Sequence, residues 1–188
     1  MGMAEVSQLW RQLTETLARV DPAIIDNLYP GADDAAIERL RAGLTVPLPA
    51  EMDALYRTNN GEGRLGSGYE GVELFWVPNP THVHGRNGYY FMPIDGIDGV
   101  VADFRSLPRA PPEDAEWSEH HGPVRAASDR WIPFAKDFGG NFLCIDLDPD
   151  VGGTHGQIIE LVFDESSRRV VSSSLAEFLA SLLSHARQ

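Results

Sequence analysis

The last third of the chain confines the fold more tightly than any other stretch. Four short apolar runs, Trp131 to Ala135, Phe142 to Asp146, Gln157 to Phe163 and Arg168 to Ser172, follow one another with only glycine-rich or charged turns between them. Runs of this length bounded by such turns predict strands, and their succession predicts an antiparallel meander. Behind them Ser174-Leu175-Ala176-Glu177 has the form of a capping box, and Leu175, Phe178, Leu179, Leu182 and Leu183 fall at helical spacing. A C-terminal helix is expected to pack on the sheet.

The N-terminal third carries a different period. Val6, Leu9, Trp10, Leu13 and Leu17 recur every three or four residues, and Pro22 prevents that helix from running on. Asp33 stands where an N-cap belongs, Ile37 and Leu40 form a short stripe, and Gly43 is placed as a stop. Pro49 fits the first turn of a third helix with Met52, Leu55 and Tyr56 inward, ended by Asn59-Asn60-Gly61. From Gly61 to about Asn87 the chain reads as loop, with one strand near Val72 to Val77. Phe91 to Pro93 reads as a brief strand, and Ile94, Ile97, Val100, Val101 and Phe104 as one side of an irregular helix interrupted by Gly96 and Gly99. Helices at both ends of a strand meander predict an α+β single domain, with a central antiparallel sheet packed against the N-terminal helices and the C-terminal helix. Its expected parts are a helical portion over about 4–60, sheet and last helix over about 69–187, and an irregular acidic loop over about 105–130.

Charge narrows the partners. The 188 residues hold 28 acids and 15 bases, a net charge of −13, and Lys136 is the sole lysine. Such a surface repels nucleic acid and anionic membrane and steers basic partners toward it, while also serving plain solubility. No apolar run approaches the roughly 20 residues of a membrane helix, and Glu5, Arg11, Glu15 and Arg19 interrupt the region a signal peptide would need. With Cys144 as the one cysteine, no intrachain disulfide can form, which predicts a reducing cytoplasm.

Two motifs then bring a family into view. The stretch GADDAAIERLRAGLTVPLPAEMDALYRTNNG resembles the N-terminal signature of the Smi/Knr family within the SUKH superfamily, in which a short helix precedes an LP-initiated helix ending in NG. The stretch WIPFAKDFGGNFLCIDLDPDVGGTHGQIIEL is similar to that family's tryptophan-led strand, GG turn and D-L-D-P segment before G-Q-[IV]-I. With the helix from Ser174 the resemblance covers most of Leu9 to Leu183, and Arg105 to Arg130 is the least family-like part. It implies an α+β binding protein without a shared catalytic residue. Many bacterial members are immunity proteins that neutralise a cognate toxin, and fungal ones regulate cell-wall synthesis. The leading expectation is therefore a non-enzymatic immunity protein that binds a toxin such as a basic nuclease-type domain. The alternative is a regulatory or scaffold protein on a cellular enzyme.

Several chemical motifs have plainer readings. Gly61-Glu62-Gly63-Arg64-Leu65-Gly66 spells GxGxxG, yet it follows a helix where a dinucleotide site needs a strand before it and a helix after it. Asp146, Asp148 and Asp150 imitate the start of a calcium loop, but Val151 replaces the required glycine and Gln157 the bidentate glutamate. His82, His84, His120 and His121 lack a third ligand at fixed spacing, so no metal and no cofactor is expected. Cys144 lies among Phe142, Leu143 and Ile145, as a buried, inert thiol would.

What remains is a set of acids beside aromatics. Interfaces favour tyrosine and tryptophan as anchors and charged groups on the rim. Tyr89, Asp95, Asp98, Glu113, Glu116, Trp117, Glu119, Asp148 and Asp150 are the expected partner contacts.

Overall fold

The computed structural model describes residues 2–63, 74–78, 86–107, 122–163 and 167–187. Helix α1 (Met3–Val20) buries Val6, Trp10, Leu13 and Leu17, the one-sided spacing that drives an amphipathic helix onto a core. Pro22 ends it and also begins a further turn, α2 (Pro22–Asp26), which the sequence pattern does not announce. The Asp21 carboxylate caps α2 by accepting the Ala23 N–H at 2.9 Å. Helix α3 (Asp34–Gly43) starts as expected, with the Asp33 carboxylate accepting the Ala36 N–H at 2.7 Å. Helix α4 (Ala50–Thr58) has Pro49 at its N-cap, one position earlier than expected, and buries Met52, Leu55 and Tyr56. The Trp10 Nε1–H donates to Asn59 Oδ1 at 2.9 Å and so fixes α1 to the end of α4.

Six strands follow in sequence order and pair antiparallel throughout: β1 (Phe75–Pro78), β2 (Arg86–Phe91), β3 (Trp131–Lys136), β4 (Phe142–Asp146), β5 (Gln157–Val162) and β6 (Ser167–Ser172). The last four are the predicted meander. β2 corrects the reading of Phe91 to Pro93: the strand ends at Phe91, and the end of the part read as loop, Arg86-Asn87, lies inside it, where Asn87 pairs with Val77. A 3₁₀ turn (Ile94–Gly96) leads into α5 (Ile97–Ser106), which buries Ile97, Val101 and Phe104 despite its glycines. Helix α6 (Leu175–Ala186) has half of the predicted capping box. Ser174 Oγ accepts the Glu177 N–H at 3.2 Å, while the Glu177 carboxylate bonds to the Ser173 hydroxyl instead.

Side chains alternate across the sheet, so the two faces have separate cores. Ile132, Phe134, Leu143, Ile145 and Ile158 join the cluster built by α1, α3, α4, α6 and, through Ile97 and Val101, α5. At its centre Phe75 lies 6.0 Å from Trp10, 5.5 Å from Phe134 and 5.9 Å from Phe178, ring centre to ring centre. On the opposite face Trp131, Cys144, Ile159 and Leu161 pack with Phe104 of α5 and with Val124. Helices flank the sheet in an α+β arrangement.

The sheet is curled. β2 and β3 share only Tyr90↔Lys136 and Phe91↔Ala135, and β3 is bulged between Pro133 and Ala135. Bulges and short pairings increase twist and bend a sheet. The curl brings β6 near β1, where Arg169 Nη2 donates to the Pro78 oxygen at 3.0 Å. Between them lies Glu160 of β5, fully buried. It accepts from the Tyr89 hydroxyl at 2.5 Å and Asn87 Nδ2 at 2.8 Å and pairs with the Arg169 guanidinium.

Of the irregular acidic loop expected over about 105–130, Arg105 and Ser106 belong to α5 and residues 108–121 lie outside the described residues. Residues 122–130 have no helix or strand, and Val124, Ala126, Ala127 and Ser128 among them are buried, Val124 in the cluster on the outer face of the sheet.

Candidate partner-binding surface

The turn from β4 to β5 is built on a buried acid. Asp146 is fully buried at the end of β4 and accepts from Trp131 Nε1 at 3.1 Å, Gln157 Nε2 at 2.8 Å and the Asp148 N–H at 2.9 Å. Burial pushes its carboxyl above the ordinary value, against the pull of these three bonds. The turn it supports is hydrogen-bonded almost residue by residue. The Asp150 N–H donates to the Pro123 oxygen at 3.1 Å, the Gly153 N–H to the Asp150 oxygen at 2.9 Å, and the Gly156 N–H to the Asp146 oxygen at 2.8 Å. Thr154 N–H donates to Gln157 Oε1 at 2.9 Å. Gly153 is wedged so closely that a Cβ there would lie 2.6 Å from Pro149 Cβ. At the tip Val151 is 96% exposed, unusual for a β-branched apolar side chain on so fixed a backbone.

Asp148 is anchored by Ser128 Oγ at 2.9 Å and by Arg125 Nε at 3.2 Å. Asp95, in the 3₁₀ turn, and Asp98, at the start of α5, face α3. Asp95 is exposed and pairs with Arg39 at 3.5 Å. Asp98 Oδ1 lies 2.5 Å from where a Cβ on Gly43 would be, so only glycine there admits it, and Arg105 Nη2 donates to the Gly43 oxygen at 2.7 Å. Two residues on, Thr45 Oγ1 donates to the Asp129 oxygen at 2.6 Å, next to Ser128. Contacts through Gly43, Thr45, Asp129 and Ser128 thus run from Asp98 to Asp148, with Arg39, Arg105 and Arg125 alongside.

The remaining expected contacts divide. Tyr89 is corrected: it is fully buried with its hydroxyl on Glu160, because strand alternation turns it toward the core. Glu113, Glu116, Trp117 and Glu119 lie outside the described residues, as do His82, His84, His120 and His121. The resemblance also implies that the loop Val151 to Gly156 faces a ligand or partner, and Val151 stands exposed at its tip. Arg125, beside Asp148, was not singled out.

Other chemistry is committed to the interior. Cys144 is buried, and burial together with Asp146 pushes its thiol up. Among the described residues no three His, Cys, Asp or Glu side chains converge to hold a metal ion, and no helix is long and apolar enough to cross a membrane.

These features define an α+β domain in which a curled antiparallel meander is flanked by helices at both ends, the arrangement expected of the SUKH type. The chain belongs to the SMI1 / KNR4 family (SUKH-1), whose model matches residues 31–181. It is 50% identical over 184 residues to the cell wall biosynthesis/cell cycle regulator smi1 of Schizosaccharomyces pombe, covering 93% of this chain and 35% of that protein. It is 46% identical over 220 residues to KNR4/SMI1 homolog 2 of Debaryomyces hansenii, covering 97% and 35%. A shorter stretch of 54 residues is 46% identical to the glucan synthesis regulatory protein of Neurospora crassa, covering 29% and 10%. The chain spans about a third of the length of the first two relatives.

Proposed function

We propose that this chain is a non-enzymatic regulator that works by docking on a partner protein through the belt formed by Asp95, Asp98, Asp148 and Asp150. The observation that supports the reading is the placement of exposed Asp95 and Asp98 around the start of α5 and of part-exposed Asp148 and Asp150 on the β4–β5 turn, in a chain of net charge −13. Separate elements contribute these acids, and a negative surface accelerates encounter with a basic face. The names of two relatives support a regulatory role in cell-wall synthesis, and an enzyme of that process is the partner class we propose.

A second reading is favoured by the size of the charge excess. An immunity protein that covers the active surface of a basic toxin, such as a nuclease-type domain, would act by occlusion and would need nanomolar or tighter binding, about −12 kcal/mol. The test is to capture partners of the tagged protein from source cells at low and high salt and identify them by mass spectrometry. The wild type is compared with a D95N/D98N/D148N/D150N variant. A cell-wall enzyme lost at high salt and with the variant supports the regulator, and a stoichiometric toxin supports immunity. A partner held equally by both proteins at both salts removes the belt from either reading.

A further inference from the structure

Glu62 occupies the junction between the helical third and the sheet, where α2, the end of α4 and β2 meet. Its backbone bridges Leu28 on one side, and on the other its N–H donates to the Phe91 oxygen at 3.0 Å. The side chain completes the second contact: Glu62 Oε1 accepts the Phe91 N–H at 2.6 Å, so a carboxyl oxygen stands where a strand carbonyl would complete a ladder. Oε2 accepts from Asn27 Nδ2 at 3.2 Å, and the same amide donates to the Gly63 oxygen at 2.7 Å. Gly61, at φ 81°, presses on Pro93, since a Cβ there would lie 2.4 Å from the Pro93 nitrogen. Asn60 Oδ1 accepts the Ile94 N–H at 3.0 Å, one residue before Asp95.

An acid is an odd choice for this position. Glu62 is 7% exposed, and none of the ion pairs among the described residues includes it. Among the described residues, the groups around it are neutral at ordinary pH. From the α2 side come Asn27 and Tyr29, whose hydroxyl lies 3.2 Å from where a Cβ on Gly63 would be. From α4 and its end come Asn59, Asn60 and Tyr56, the last committed to the Met92 oxygen at 2.9 Å. From β2 there is only backbone. Asp26, the titratable neighbour on α2, is exposed to solvent. A glutamine would keep the bond from the Phe91 N–H without a charge to bury, while its Nε2 would replace the acceptor that Asn27 Nδ2 uses.

We propose that this junction is a pH-operated latch: Glu62 holds Asn27, residues 61–63 and β2 together most firmly while neutral, and lets them part more often once it ionises. The physical cause is the cost of keeping an unpaired carboxylate away from water, which outweighs the help of two hydrogen bonds. The carboxyl is accordingly pushed up to about 7, chiefly by burial. Because the folded value lies above the unfolded one, the contribution is fully present below the ordinary carboxylate range and is lost as pH rises through about 7. Parting at Gly61 and Asn60 frees Pro93 and Ile94, so the effect reaches the segment that carries Asp95 and Asp98.

Two measurements on the purified full chain test the latch without any partner. The first follows the Glu62 carboxyl by carbon NMR, with an expected midpoint near 7; a midpoint at the ordinary 4 to 5 overturns the proposal. The second follows hydrogen exchange at the Glu62, Gly63 and Phe91 amides, each rate divided by its intrinsic rate. The opening constant should rise about tenfold from pH 6 to pH 8 and stay flat in E62Q. No rise in the wild type, or the same rise in E62Q, overturns it. Should E62Q not fold, the carboxyl midpoint decides alone.

Discussion

Arg169 reaches from the last strand of the sheet to the Pro78 oxygen at the end of the first, 3.0 Å away, while its Nε pairs with the buried Glu160. One guanidinium therefore closes the curl and neutralises an acid that water cannot reach. Breaking such a pair from the cationic side leaves an uncompensated buried charge. Arg169→Met should lower unfolding free energy by about 3 kcal/mol, whereas R169M/E160Q should recover most of that loss. Urea melts of the three proteins decide this, and equal stability of the single and double variants would contradict it.

The Asp146 network makes a second prediction. Asp146→Ala leaves the Trp131 indole N–H, the Gln157 amide and the Asp148 N–H without their acceptor, at a cost of about 2 to 4 kcal/mol. Asp146→Asn keeps an acceptor oxygen and should lose less. Because burial raises this carboxyl above its unfolded value, its contribution is fully present below the ordinary carboxylate range and fades as pH rises through the folded value. The asparagine variant should lack that part of the pH dependence, as read from melting temperature against pH.

Gly153 and Gly152 adjoin on the same turn but should fail differently. Alanine at Gly153 collides with Pro149 and the Pro123 oxygen, so Gly153→Ala should cost about 1 to 3 kcal/mol and shift the backbone signals of residues 122–124. Gly152 has φ 89° and open space around its Cβ position, so Gly152→Ala should cost only about 1 kcal/mol of backbone strain and leave Pro123 undisturbed. Identical perturbation of the 122–124 signals by both variants would refute the steric distinction.

Val151 separates stability from association. A side chain 96% exposed contributes almost nothing to folding, so Val151→Ser should leave unfolding free energy within about 0.5 kcal/mol. If the belt is the docking surface, the same change should speed dissociation of the captured partner, measured by surface-based kinetics. An unaltered dissociation rate would place Val151 outside the contact.

Much of this architecture is legible in the residues because local chemistry and global packing agree. Asp33 and Ser174 cap the helices they announce, and the runs from Trp131 to Ser172 become four adjacent strands. β2 was hidden because Asn87-Gly88 has turn composition, and only cross-strand pairing with β1 makes it a strand. The α2 turn was hidden because Pro22 is read first as a stop. At the surface, acids could be found but not sorted. Asp146 and Asp148 are two residues apart, yet the strand end directs one into a buried network and the loop turns the other toward Arg125. The approach of the α3–α4 connection to the segment before β3 rests on Thr45 meeting Asp129, a contact across 84 positions that no local pattern encodes.

The two separate cores give the molecule its own pair of optical reporters. Trp10 lies in the cluster on one face of the sheet and Trp131 in the cluster on the other, both fully buried with their indole N–H groups bonded. Difference emission between the wild type and Trp10→Phe follows one face, and between the wild type and Trp131→Phe the other. Coincident denaturation curves would mark the sheet as a single cooperative unit, while an earlier transition on the Trp131 side would identify the Phe104 end of α5 and the segment around Val124 as the first to come away.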